Sequence, residues 1–339
     1  CGLNKTLIHR ELSHAKLINY NHTVATMLSL LLSVLLTFVE YNCENLFDCQ
    51  HDSLKDDLQF MPEGTHKWTP GRYWRKLNHI SQAILSCGGD SATATIPDLI
   101  ALTEVENDSV MRDLTKRSLM RNAHYEYVMT SSPDVRGIDV ALVYSPYSFK
   151  LLTSHSIGVR MPEGVRPTRD ILYASGLVMS GDTLHIYIVH SPSRAGGEHL
   201  TKPYRMLVAE RLCASIDSLR AVSPEARIIV AGDFNDYSNN KSLTRIAGNG
   251  MVEVSRDAIG RNGAKGTYRY QGEWGSLDHI FVSGNMAERI MGCYINDAPF
   301  LLEEESKYGG VRPKRSFRGP VYMNGYSDHL PLVATFMLE

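Results

Sequence analysis

Residues 227–236, RIIVAGDFND, hold the reading on which the fold turns. The stretch opens as an unbroken apolar run, Ile228 to Ala231, and closes in Asp233, Asn235 and Asp236. An apolar run of this kind suits a central strand covered on both faces. A strand holds rigidly what its end presents, so an acid and an amide placed there read as working groups. Taken alone, the piece is equally an ordinary strand-to-turn exit.

The same layout recurs outward along the chain. Strand-like runs are LTFVEYN (36–42), DLIALTE (98–104), YEYVM (125–129), IDVALVY (138–144), FKLLTSH (149–155), ILYASGLVM (171–179), TLHIYIVH (183–190), LDHIFVS (277–283) and LPLVATF (330–336). Two segments carry helical spacing instead. In 71–87 the apolar positions are Tyr73, Leu77, Ile80 and Ile84; in 202–220 they are Tyr204, Val208, Leu212, Ile216 and Leu219. About ten strands exceed what one flat sheet usually holds. The pattern therefore predicts an α/β fold of two packed sheets with helices outside, as one domain over 36–339.

Bulk properties agree with a globular enzyme-sized domain. Of 339 residues, 43% are hydrophobic and 21% charged, which excludes a disordered chain. A formal net charge of -2 argues against a broad, sequence-independent DNA clamp. None of the six cysteines forms a CxxC pair, which argues against a structural zinc site. Cys87 and Cys213 fall in helical patterns and read as buried thiols. Residues 1–35 read as an extension. Lys5, Arg10 and Lys16 precede an uncharged apolar run, 24–39, that has the character of a signal or anchor segment. Its second half doubles as a first strand, so membrane contact is expected only through 24–39. Export, membrane association and a cytoplasmic site all remain open.

Polar residues gather at the ends of the apolar runs: Asn42 and Glu44, Glu104 and Glu106, His190 and Arg194, Asp233 and Asn235, Asp278, and Asp328 with His329. Carboxylates with amides suit a hard cation such as Mg²⁺ or Mn²⁺. Histidines beside carboxylates suit proton transfer. Amides hold phosphoryl oxygens without adding charge. Together these are the parts of a phosphoester hydrolase.

The segments YNCENLFD (41–48), LTEVEND (102–108), HSPSR (190–194), AGDFND (231–236), GSLDHIFVS (275–283) and YSDHLPL (326–332), in this order, resemble the endonuclease/exonuclease/phosphatase superfamily. That group includes pancreatic-type deoxyribonucleases, abasic-site endonucleases, inositol polyphosphate phosphatases and bacterial sphingomyelinases. The resemblance implies a four-layered α/β sandwich, two mixed sheets flanked by helices, with Mg²⁺ or Mn²⁺ as cofactor. It implies Glu104, Asn42 and Asp328 at the metal, with Glu44 in a supporting position. It further implies that Asp233 and Asn235 position water and a phosphoryl oxygen, and that His190 donates to the phosphate or leaving group. His329 is then the proposed base, oriented by Asp278, with Asp233 as the other candidate.

His279 adjoins Asp278 and should face the opposite side of its strand. Glu106 and Asp108 read as solvated loop acids, and Asp236 as a turn residue. Arg136 and Arg194 are candidates for binding substrate phosphate, against a plain reading as solvated loop arginines. His190 stands where the abasic-site enzymes carry tyrosine, and Gly275–His279 lacks the inositol phosphatase signature. The cluster Arg312, Lys314, Arg315 and Arg318 could follow a nucleic-acid backbone. The expectation is thus a nuclease-like phosphodiesterase acting as a monomer on a phosphoester, nucleic acid included. A small-molecule or lipid phosphoesterase is the alternative, and a non-catalytic binding module the third.

Overall fold

A computed structural model describes residues 34–89 and 95–339. The first sheet contains β1 (Val34–Leu46), β2 (Leu99–Val105), β3 (Glu126–Met129), β4 (Asp139–Tyr144), β13 (Ile290–Ile295) and β18 (Leu332–Leu338). The second contains β5 (Phe149–Ile157), β6 (Ile171–Val178), β7 (Thr183–His190), β8 (Arg227–Asp233), β9 (Met251–Glu253) and β12 (Asp278–Ser283). The spatial orders are β13-β18-β1-β2-β4-β3 and β5-β6-β7-β8-β12-β9. Both sheets are mixed: β1 runs parallel to β2, and β7 parallel to β8, amid antiparallel neighbours. Three hairpins lie outside them: β10 (Tyr268–Tyr270) with β11 (Glu273–Gly275), β14 (Leu302–Glu304) with β15 (Val311–Pro313), and β16 (Phe317–Arg318) with β17 (Val321–Tyr322).

Alternation along the strands sorts side chains into layers. In β8, Ile229 and Ala231 join the larger core between the sheets, whereas Ile228 and Val230 join a second core under the helix Glu198–Val222. β7 divides the same way, with Ile186 and Ile188 inward and Tyr187 and Val189 outward. β12 sends Ile280 and Val282 inward and Phe281 outward. The outer helix closes its side with Val208, Leu212, Cys213 and Ile216. The helix Pro70–Leu85 packs Leu77, Ile80, Ala83 and Ile84 against the first sheet. The result is helix, sheet, sheet, helix, the four-layered sandwich expected. Truncating a fully buried leucine such as Leu212 to alanine costs about 2–5 kcal/mol in sites of this type.

β1 begins at Val34 and pairs on both sides, and its Leu36, Phe38 and Val39 are buried. Residues 34–39 therefore belong to the sheet. The rest of the expected extension, 1–33, lies outside the described residues. Among the described residues no helix is long and apolar enough to cross a membrane. The edge strand β13 carried no clear pattern, because its side chains are mostly half-buried.

Candidate active site

Three working side chains arise from one row across the second sheet. His190 ends β7, Asp233 ends β8 and Asp278 begins β12; the register places His190 beside Asp233 and Asp233 beside Asp278. All three share the strand parity of the inward apolar residues, so each continues the inner face into the site. His279, one residue on, faces the other way. Its Nδ1 meets Glu253 Oε1 at 2.8 Å and its Nε2 meets the Asp236 carbonyl at 2.9 Å, outside the site. The close approach of β7 to β8 requires Gly232. Its φ is +145°, and an added Cβ would lie 1.8 Å from the Val189 carbonyl oxygen.

The first sheet supplies the facing wall. Asn42 on β1 donates from Nδ2 to Asp233 Oδ2 at 3.0 Å, which joins the two sheets at their open end. Glu44, Asn45, Glu104 and Asn235 all hold left-handed backbone, with φ of 48°, 55°, 61° and 51°. Strain of this kind persists where surrounding contacts over-determine the chain. Here those contacts are explicit. Asn42 Oδ1 accepts from Glu44 N, Glu104 Oε2 accepts from Asn45 N, and Asp233 Oδ1 accepts from Asn235 N, each at 2.8 Å.

His329 enters from the loop before β18. Its Nδ1 bonds Asp278 Oδ2 at 2.7 Å, and Thr267 donates its hydroxyl to the same oxygen. Burial opposes charging of the ring, but Asp278, with Asp233 and Asp328, holds its pKa well above the ordinary imidazole range. Burial, followed by the Asp278 charge, pushes the Asp233 carboxyl up to about 7. His190 is shifted the other way, well below the usual value, by burial and then by Arg169 and Arg136. Its Nε2 stands 3.7 Å from both Glu104 Oε1 and Asp233 Oδ2.

A second ionic group buttresses this row. Glu44 accepts from the backbone N–H groups of Ser316 and Phe317 at 2.6 and 3.1 Å, and lies 4.0 Å from the buried ammonium of Lys76. Arg315 bridges Asp328 at 2.9 Å and Glu44 at 3.6 Å. Beneath the row, Glu40 is fully buried, and burial, then Asp278 and Asp233, raise its pKa well above the carboxylate range. Lys76 and Glu40 were not anticipated from the sequence, and Arg315 was read there only as part of the basic run 312–318.

Asp233, the middle residue of the row, reaches a cavity of about 680 Å³. Asn42, Glu104, Asp233, Asn235, Asp328 and His329 reach it, as do Arg136 and Arg194. Asp278 and His190 do not line it and act from behind. Tyr237, Tyr268 and Tyr270 form its aromatic side. The Arg194 guanidinium sits 4.1 Å from the Tyr237 ring centroid, and its Nε donates to the Asn235 carbonyl at 2.8 Å. Arg136 Nη1 reaches Asn45 Oδ1 at 3.4 Å, and its Nη2 lies 4.0 Å from Glu104.

Several expectations are corrected. Glu106 is not solvated: it is buried, accepts from Asp48 N at 2.7 Å, and burial raises its carboxyl to about 8. Asp236 is more than a turn residue, since it is fully buried and paired with Arg205 Nε at 2.8 Å. Asp108 opens a helix, Asp108–Lys116, rather than lying in a loop. The basic run 312–318 is largely neutralised. Arg312 pairs with Glu303 and Glu305, Arg318 with Glu303, and Arg315 with Asp328.

Two groupings have the chemistry for a hard divalent cation. Asp233, Asp278 and His329 bring ligand atoms within 4.8 Å of one another. The His329–Asp278 bond and the Thr267 hydroxyl engage His329 Nδ1 and Asp278 Oδ2, whereas Asp278 Oδ1 has no hydrogen-bond partner among the described residues. Glu104 fits better. It lines the cavity, its Oε2 is fixed by Asn45 N, and no described group comes within hydrogen-bond distance of its Oε1. Asn42 and Asp328 line the same cavity.

The comparisons with known proteins agree with this architecture. The family model described as Endonuclease/Exonuclease/phosphatase family matches residues 37–338. No curated protein matches the chain. Among solved structures, an endonuclease/exonuclease/phosphatase family protein from Bacteroides thetaiotaomicron is similar with a TM-score of 0.62 at 15% identity, covering 91% of this chain and 99% of that one. A mannosyl-6-phosphatase from the same organism gives a TM-score of 0.60 at 15% identity, over 90% and 100%. A truncated Caenorhabditis elegans TDP2 gives 0.56 at 16% identity, over 90% and 98%. At these identities the structural likeness carries the fold, and the match over 37–338 carries the family. The chain belongs to the endonuclease/exonuclease/phosphatase family and is a metal-dependent phosphoester hydrolase.

Proposed function

We propose that the chain hydrolyses the phosphoester of a small, hydroxyl-bearing molecule. One observation carries this reading: Glu104, Asp233, Asn235, Asp328 and His329 line one cavity of about 680 Å³, and the basic run 312–318 does not line it. Cavities of roughly 300–1,000 Å³ suit small ligands. The neutralised 312–318 run removes the feature that favoured a nucleic-acid track. The mannosyl-6-phosphatase of the same fold supports a phosphorylated sugar as the first compound to test.

In this reading Arg136 and the Asn235 amide hold phosphoryl oxygens, and Glu104 with Asn42 and Asp328 holds Mg²⁺ or Mn²⁺. When bound, that cation supplies Lewis-acid polarisation of the phosphate and neutralises its charge. Asp278 fixes the His329 ring so that Nε2 points away from the shared bond, toward the cavity side. Asp233 and His329 are the two groups placed to take the proton of the attacking water. His190, behind Glu104 and Asp233, orients these two carboxylates, from each of which its Nε2 stands 3.7 Å.

A nuclease-like phosphodiesterase is the second reading. Tyr270 and Tyr237 favour it, being 62% and 40% exposed at the cavity, since exposed aromatic faces can stack bases. Turnover of p-nitrophenyl phosphate, bis-p-nitrophenyl phosphate and hexose 6-phosphates, with Mg²⁺, Mn²⁺ or EDTA, tests both readings beside a plasmid-nicking assay. Sugar phosphate turnover with little salt dependence supports the first. Nicking that weakens steeply with salt supports the second and overturns the first.

A further inference from the structure

Arg169 precedes β6 in a segment to which the sequence assigned nothing, yet it is 6% exposed. A buried guanidinium is costly unless its donors are used. Its Nη1 lies 3.3 Å from Asp134 Oδ2, and its Nη2 donates to the Ser191 carbonyl at 2.8 Å. Both partners sit next to groups of the site. Asp134 Oδ1 accepts from the backbone N–H of Arg136 at 3.0 Å, and Ser191 directly follows His190. The Ser191 carbonyl also accepts from Asn235 Nδ2 at 3.2 Å. One oxygen is therefore shared by Arg169 and by an amide that lines the cavity. The segments are locked at a further point, where Asp170 N donates to Ser132 Oγ at 3.0 Å.

We infer that Arg169 is a positioning residue that couples the loop carrying Arg136 beside the first sheet to the end of β7 at His190 and the loop carrying Asn235 on the second. It touches no substrate, because it does not line the cavity. Its two partners lie beside different sheets, so it fixes the distance across the cleft between a cation on one wall and an amide on the other. A loop tie serving only stability would not need to place both of its ends beside site residues. The inference rests on the functional reading above for what the positioned groups do, but not for the coupling itself.

Arg169→Met removes both bonds, and Asp134→Asn weakens the first-sheet half while leaving the guanidinium. In folded protein, Arg169→Met is expected to lower kcat/KM for a turned-over phosphoester by about 30-fold or more, the scale of a small misplacement of reacting groups. Inorganic phosphate should bind about tenfold more weakly. Combining Arg169→Met with Asn235→Ala should cost less than the product of the separate losses, because both act through the Ser191 carbonyl. Amide hydrogen exchange should quicken in 132–138 and 190–194 together. A folded Arg169→Met protein with kcat/KM and phosphate affinity within about twofold of the parent would overturn the inference, as would fully multiplicative losses with Asn235→Ala. Should Arg169→Met not fold, Asp134→Asn decides: unchanged phosphate affinity and unchanged exchange in 190–194 also overturn it. If the unaltered protein turns over no phosphoester, the functional reading fails by itself, and the exchange data still judge the coupling.

Discussion

His329 and Asp278 stand 51 positions apart and meet through a buried 2.7 Å hydrogen bond beside the cavity. The carboxylate orients the ring and stabilises its charged form. Asp278→Asn keeps the shape and removes the charge, so the ring loses its fixed orientation. The expected result is a fall in kcat of about a hundredfold or more, within the range of acid–base contributions. The circular dichroism spectrum should not change. A kcat close to that of the parent would remove the His329–Asp278 pair from the mechanism.

Metal removal separates chemistry from folding. Excess EDTA should abolish turnover while the far-ultraviolet spectrum persists, because the Asn45 N–H already holds the Glu104 carboxylate in place. Added Mg²⁺ or Mn²⁺ should restore the parent protein but not Glu104→Gln. Persistent turnover in EDTA would contradict this assignment.

Glu106 gives stability a pH dependence of known sign. Burial is the main cause that lifts its folded pKa to about 8, against an ordinary 4.5. Between these values the folded chain keeps a proton that the unfolded chain releases, so stability declines as pH rises through the window. Glu106→Gln can still accept from Asp48 N and does not titrate. Its urea midpoint relative to the parent should therefore rise from about pH 5 to about pH 9. A constant difference between the two conditions would refute the burial argument.

Gly232→Ala should destabilise by about 2 kcal/mol or more, since both the left-handed φ and the Val189 carbonyl resist a Cβ. Urea unfolding measures this directly. A loss below about 0.5 kcal/mol would show that β7 and β8 can separate at low cost.

The apolar runs made the strands legible, and parity made the direction of Asp278 and His279 legible. The site residues were visible because acids, amides and histidines at strand ends stand out against apolar sequence. The ionic groups that support them were not. Glu44 meets Ser316 across 272 positions, and no local pattern announces such a pairing. Arg205 lies on a helix where an arginine reads as solvated, and only the folded chain shows it buried against Asp236. Glu106 was misread for the same reason: an acid after a strand looks exposed until the neighbouring loop covers it.

The row of His190, Asp233 and Asp278 has a further consequence for how this chain can change. Because each residue is the last or first inward position of its own strand, a single-residue insertion or deletion within β7, β8 or β12 would turn that residue outward. The loops bearing Arg194 and Tyr237 carry no such constraint, since they follow β7 and β8 rather than set their phase. Length variation can therefore accumulate in the loops at the cavity mouth while the row keeps its alignment. The fold separates the evolution of what is cut from the evolution of how it is cut.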